Sequence, residues 1–244
     1  MVMIGLRVSG LMIFAPFFSS VAIPPRIKII LILAITAVLY PVTSPQLPAV
    51  SLSQWPVIVA SETVLGIGIG LAANMALEAA QIAGQVLSVQ MGYSLVNILD
   101  PTTQVESTVI AMFHSTVAMF IFLALDVHHW ILRAIAHSFA YLPPGTATVN
   151  PMFTKLLLHE GAVVLEVGIQ IAAPVLACTL LMDLVLGLLG KSSPQMPLML
   201  MGPAVKSMLG VLVLSATLSF WPRLFERYFS ESIAYTEQVL RLAH

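Results

Sequence analysis

Apolar residues run through this sequence in long blocks, separated by clusters of proline, glycine and serine. Breaks fall at Pro24-Pro25, across 41–56 (four prolines and no charged residue), at Asp100-Pro101, at Pro143-Pro144-Gly145 and at Ser192-Ser193-Pro194. Such clusters end helices. The blocks between them predict helices over 6–23, 26–40, 57–98, 104–142, 152–191 and 198–240. A helix that crosses a bilayer needs about 20 residues. Block 57–98 contains no proline, and as one helix it would reach about 63 Å, roughly twice a hydrocarbon core. Blocks 104–142 and 152–191 are nearly as long, whereas 26–40 is too short to span comfortably. The pattern predicts an all-α integral membrane protein built of long antiparallel helical hairpins. These hairpins stand partly clear of the bilayer, covered by other protein.

The polar and small positions inside the blocks add detail. Gly68, Ala72, Ala76, Ala80, Gly84, Ser88 and Gly92 form an unbroken i, i+4 series. Small residues at this spacing let helix backbones approach closely in lipid. The series reads either as ordinary membrane-helix packing or as a dedicated seam between subunits. A neighbouring row, Glu62, Gly66, Gly70, Asn74 and Glu78, is small or polar. Glu78, Gln81 and Gln85 share one face. Intramembrane carboxylates are costly and face protein or water, so this face is either hydrogen-bonded packing or the lining of an aqueous path. Glu62, Glu160, Glu166, Asp183 and Lys206 pose the same choice, and no pairing among them is evident from spacing. The stretch 90–107 joins two long blocks. Gly92, Ser94, Asn97 and Asp100 weaken the helix end, and Thr103 with Glu106 forms a capping box that starts the next helix. It reads as a pliable loop or simply as a hairpin turn.

Composition narrows the class. Of 244 residues, 59% are hydrophobic and 9% charged, with a mean hydropathy of +0.98. Soluble domains carry about 25% charge, so an ordinary soluble enzyme and a disordered chain are both excluded. A net charge of −1 leaves no basic field for nucleic acid. The single cysteine, Cys178, excludes an internal disulfide and a cysteine-based zinc site. Residues 1–23 lack a charged n-region, and Pro16 splits their apolar run, so they read as retained structure rather than a signal peptide. The abrupt apolar start suggests that a few residues precede it. Basic residues do not orient the chain: Arg26 and Lys28 in linker 24–28, and Asp100 and Glu106 in linker 99–106, fall on one side by simple alternation.

Catalytic patterns fail on inspection. His159-Glu160 opens an HExxH pattern, but Val163 stands where the second histidine is needed. Asp126, His129, Arg133 and His137 share a helical face, but Arg133 would repel a metal. No Walker A, GxSxG or dinucleotide fingerprint occurs. No catalytic residue, metal ligand or cofactor is therefore assigned. The 13 methionines read as core filler or as adaptable sealing groups.

Four ordered stretches resemble the FliR/SctT family of export-gate proteins, shared by flagellar and virulence type III secretion. They are Arg7…Ala15-Pro16 with Ile23-Pro24-Pro25-Arg26-Ile27-Lys28; Ala83-Gly84-Gln85 leading to Gln90-Met91-Gly92-Tyr93-Ser94 and Asp100-Pro101; His128-His129-Trp130-Ile131-Leu132 before Ser138 and Leu142-Pro143; and Leu189-Gly190-Lys191-Ser192-Ser193-Pro194-Gln195-Met196 with Gly202-Pro203 and Lys206. The histidine-containing stretch favours the flagellar branch. The chain departs from the family in a shorter N-terminus, in Pro197, and in a loosened Met201-Gly202-Pro203-Ala204. The resemblance implies one copy of this chain in a helical export gate with FliP and FliQ. FlhB and FlhA belong to the same apparatus, and unfolded flagellar subunits pass through. It implies a FliP-like portion over 1–145 and a FliQ-like hairpin over 151–244, raised partly above the inner membrane in the flagellar basal body and otherwise in lipid. It also implies a channel plug formed by Gln90, Met91, Gly92, Tyr93, Ser94, Leu95, Val96, Asn97, Asp100 and Pro101. The competing class is a small-solute transporter, which would show paired intramembrane charges and an inverted repeat.

Overall fold

The structure is a computed structural model that describes residues 1–20, 23–43, 54–93, 108–146, 151–192 and 198–242. Every regular element among them is helical: α1 (Val2–Phe14), α2 (Pro25–Thr43), α3 (Trp55–Gln90), α4 (Val109–Ala124), α5 (Val127–Tyr141), α6 (Pro151–Ser192), α7 (Leu198–Thr217), a 3-10 turn (Leu218–Phe220) and α8 (Trp221–Leu242). Four helical stretches are long and apolar enough to cross a membrane, or five if the bent pair α4 and α5 counts as one span. The chain is thus an all-α protein of membrane-spanning composition.

The long blocks hold: α3 has 36 residues and α6 has 42, roughly 54 and 63 Å of helix. α3 stops at Gln90 rather than at 98, and four other blocks differ from the expected ones. The first helix stops at Phe14, where Ala15 turns extended and Pro16 begins a turn that puts Phe17 at φ 67°. Block 26–40 continues through Pro41 to Thr43, and at 19 residues it is long enough to span, contrary to the expectation. Pro41 lies in the last turn, where only one carbonyl loses its donor. Block 104–142 breaks at Asp126, which adopts a left-handed conformation (φ 54°) and bends α4 from α5 by 65°. Block 198–240 contains the 3-10 turn, after which Trp221-Pro222 restarts the helix with proline in its first turn.

The chain forms two compact units. The first comprises Met1–Ala76, Phe122–Val163 and Glu226–His244; the second comprises Leu77–Ile121 and Val164–Phe225. In the first, α1 lies parallel to α3 at very short range. Cβ atoms added at Gly10 and Gly66 would collide with backbone atoms of Thr63 and Arg7, and one at Gly70 would sit 2.7 Å from the carbonyl oxygen of Leu11. Only glycine permits this approach.

That approach delivers Arg7 to Glu62. Both side chains are fully buried, with Arg7 Nε donating to Glu62 Oε2 at 2.7 Å. Arg7 Nη1 donates to Ser138 Oγ and Nη2 to the Leu142 carbonyl, each at 3.1 Å. The guanidinium carbon lies 4.3 Å from the centre of the Phe139 ring. Glu62 Oε1 accepts the backbone N–H of Gly145 at 2.7 Å. One ion pair therefore ties α1, α3, α5 and the turn after α5. Spacing gave no hint of it, because the partners lie 55 residues apart.

Removing one partner strands a buried charge, which costs about 3–5 kcal/mol. Arg7→Leu and Glu62→Leu are each expected to lower the melting temperature of the purified assembly sharply. Replacing both with apolar residues of similar volume should cost less than either single change. A double variant as unstable as the sum of the two singles would contradict this account.

Candidate functional site

The end of α3 is built as a defined stop. Gly92 adopts φ 87°, its N–H donates to the Val89 carbonyl at 3.1 Å, and the Tyr93 N–H donates to the Ser88 carbonyl at 2.9 Å. This is the Schellman pattern, in which a left-handed glycine lets the chain fold back on the last carbonyls. Gly92 thus terminates the helix rather than merely loosening it.

Three contacts within the second unit fix that terminus. Met91 is 1% exposed, and its side chain lies where any Cβ at Gly210 of α7 would go, at 2.6–2.9 Å. Gly92 lies against Pro203 of the same helix, one added Cβ away at 2.9 Å. Gln90 donates from Nε2 to Asp183 Oδ2 of α6 at 3.0 Å, and Asp183 pairs through Oδ1 with Lys206 of α7. Residues 203, 206 and 210 fall at helical spacing on one face of α7. On the far side of the candidate loop, the Thr108 hydroxyl contacts that of Ser88 and accepts the Ala111 N–H at 3.4 Å, capping α4. Thr108 and Tyr93 therefore both leave from the last turns of α3.

Of the residues assigned to the loop from sequence, Gln90, Met91, Gly92 and Tyr93 are described; Tyr93 is 37% exposed. Ser94, Leu95, Val96, Asn97, Asp100 and Pro101, with the Thr103–Glu106 capping box, lie outside the described residues. Along the small-residue series, Gly68, Ala72, Ala76, Ala80, Gly84 and Ser88 are buried and Gly92 is half-buried. That face is filled by this chain's own helices: Gly84 is one added Cβ, 2.5 Å, from Ala111 Cα of α4, and the Ala72 carbonyl accepts the Ser232 hydroxyl of α8. Glu78 and Gln85 are exposed and Gln81 is half-buried, so this polar row lies on the outer side of α3.

Two sequence inferences change. Charged groups judged unpaired are paired, as Arg7–Glu62 and Asp183–Lys206. The partners of Asp183 and Gln90 were missed because antiparallel helix register, unlike i, i+4 spacing, is invisible in sequence. The histidine face also divides. Asp126 turns toward His128 and His129 at 3.8 and 3.5 Å, while His137 faces Glu237 at 3.6 Å.

Comparison with known proteins places the chain. The sequence model of a family described as bacterial export proteins, family 1, matches residues 1–232. The chain belongs to that family. It is 27% identical to the flagellar biosynthetic protein FliR of Escherichia coli (strain K12) over 228 residues, covering 93% of this chain and 87% of the relative. It is 27% identical to FliR of Bacillus subtilis (strain 168) over 244 residues, covering 98% and 94%. It is also 29% identical to the secretion system apparatus protein SsaT of Salmonella typhimurium (strain LT2) over 179 residues, covering 73% and 68%.

The buried series on α3 should be intolerant of bulk. Ala80, fully buried, changed to Leu is expected to cost roughly 1–3 kcal/mol by overpacking, while the exposed Gln85→Leu should cost little. Recovery of folded protein from membranes compares the two, and equal recovery would contradict the packing role of this face.

Proposed function

We propose that this chain is a structural, channel-forming subunit of the flagellar type III protein export gate. It assembles with FliP and FliQ, beside FlhB and FlhA, to pass unfolded flagellar subunits. The observation that carries this reading is the match over nearly the whole chain to proteins named FliR. The reading includes residence in the inner membrane at the flagellar basal body, a FliP-like portion over 1–145 and a FliQ-like hairpin over 151–244. The chain makes and breaks no bond; its work is to shape a path and close it. A second reading, a subunit of a virulence secretion apparatus, is favoured only by the resemblance to SsaT.

Physical features support a subunit over a free-standing transporter. Leu180, Leu181, Leu184 and Leu188 of α6 and Met208 and Leu212 of α7 are more than half exposed. Helices as long as α3 and α6 outrun a bilayer, so their apolar surface needs protein cover as well as lipid. The paired charges that a transporter would share with this chain are here explained by packing within each compact unit.

Within this reading, the segment that follows Tyr93 closes the channel, and the clamp of Gln90, Met91 and Gly92 on α6 and α7 fixes where it begins. Export of flagellar subunits by cells lacking this chain tests the function: secretion should stop and return when the chain is supplied. Continued secretion would overturn the reading. Shortening the segment between Tyr93 and Leu99 should raise ion conductance across membranes carrying the assembled gate without substrate. Wild-type conductance in a correctly assembled variant would mean that the segment is only a connection.

A further inference from the structure

The first hairpin carries a groove and a charge pattern that the export role does not use. Between α1 and α2 lies an open apolar cavity of about 480 Å³, within the range of small-molecule sites. Met1, Val2, Gly5 and Leu6 line its α1 side, and Ile32, Leu33 and Ala37 its α2 side. Thr36 also lines it, but its hydroxyl donates to the Ile32 carbonyl at 2.7 Å, so the wall offers no free polar group there. Gly5 keeps the groove deep: a Cβ there would meet only Thr36, at 3.6 Å.

One turn of helix toward the start of α2 stand Arg26 and Lys28. No Asp or Glu precedes Glu62 in the sequence, and Glu62 is already consumed by Arg7. Among the described residues, neither Arg26 nor Lys28 meets a carboxylate; Lys28 Nζ donates only to the Ser19 carbonyl, at 3.2 Å. That bond holds the Ala15–Ser19 turn beside Lys28. The turn presents Phe17, 45% exposed, in a left-handed conformation that a bulky residue rarely adopts, stacked edge-on against Phe18 at 5.6 Å. Cations at the end of an apolar span sit at the level of the lipid headgroups. The groove begins about 6 Å along α2 from Lys28 and ends about 14 Å from it, the direction in which an acyl chain descends from a headgroup.

We propose that this hairpin binds one anionic phospholipid. Arg26 and Lys28 take the headgroup phosphate, and the groove between α1 and α2 takes an acyl chain. Both halves lie within one compact unit, so the site belongs to this chain alone. The charged half supplies selectivity for anionic over zwitterionic lipid. The apolar half separates a lipid from a free phosphate ion, which has nothing to place in the groove.

The test uses the assembled complex in nanodiscs of phosphatidylcholine with or without phosphatidylglycerol, read by native mass spectrometry after release. One phosphatidylglycerol is expected to remain per copy of this chain. Joint Arg26→Gln and Lys28→Gln should weaken its retention roughly ten- to thirtyfold, while Arg26→Lys with Lys28→Arg should preserve it. Gly5→Leu, which fills the groove, should reduce retention with both cations intact. Excess inorganic phosphate should not displace the lipid. Equal retention of phosphatidylcholine, displacement by phosphate, or retention unchanged by both the Gln pair and Gly5→Leu would each overturn the proposal. A cross-link from Leu33 to a partner subunit, in place of one to a photoactivatable acyl chain, would overturn it as well.

Discussion

The buried pair of Arg7 and Glu62 is the interaction on which the first unit depends. A guanidinium and a carboxylate removed from water cost several kcal/mol each unless their remaining donors and acceptors are filled. Here both carboxylate oxygens are engaged, by Arg7 Nε and the Gly145 N–H, and the guanidinium also bonds Ser138 and the Leu142 carbonyl. These partners come from α1, α3, α5 and the turn after α5, so none of the four can move without exposing a charge to an apolar interior. The glycine crossing of α1 on α3 and the ion pair depend on each other. Without Gly10 and Gly66 the helices stand too far apart, and without the pair the close approach would bury a lone charge.

Rigidity in that place leaves the surface of α2 free. Among the described residues of α2, only Thr36 and Thr43 are buried, so the helix adds little to the packing of its own unit and offers an apolar face outward. In the second unit, the Schellman stop of α3, the Met91–Gly210 contact and the link from Gln90 through Asp183 to Lys206 set the end of that helix. On the proposed plug reading, fixed helix ends confine the rearrangement to the segment between them, and the fewer residues that rearrange, the smaller the ordering entropy exchanged on opening.

Much of this was legible before any coordinates. Proline and glycine punctuation gave the long helices α3 and α6 to within a few residues at most ends, because those breaks are chemical. The small-residue row on α3 was visible as an i, i+4 series, which winds around the helix because 4 exceeds 3.6, but not what lies against it. What spacing cannot show is a contact between distant segments. Arg7 with Glu62 and Lys206 with Asp183 are set by how helices register in space, and no periodicity encodes that. The bend at Asp126 escaped for a different reason: an aspartate tolerates a left-handed conformation but does not require it. At Gly92 the glycine signal was read as looseness, whereas the hydrogen bonds make it a helix stop.

The central claim is that this chain works as one member of a multi-subunit export gate, its exposed apolar helices covered by other chains. Isolating it through an affinity tag from the membranes of its own cells, in mild detergent, tests that claim most directly. The account predicts that FliP and FliQ come with it, in excess over a single copy of this chain. Recovery of the chain alone, or as a stable complex only with itself, would contradict the account.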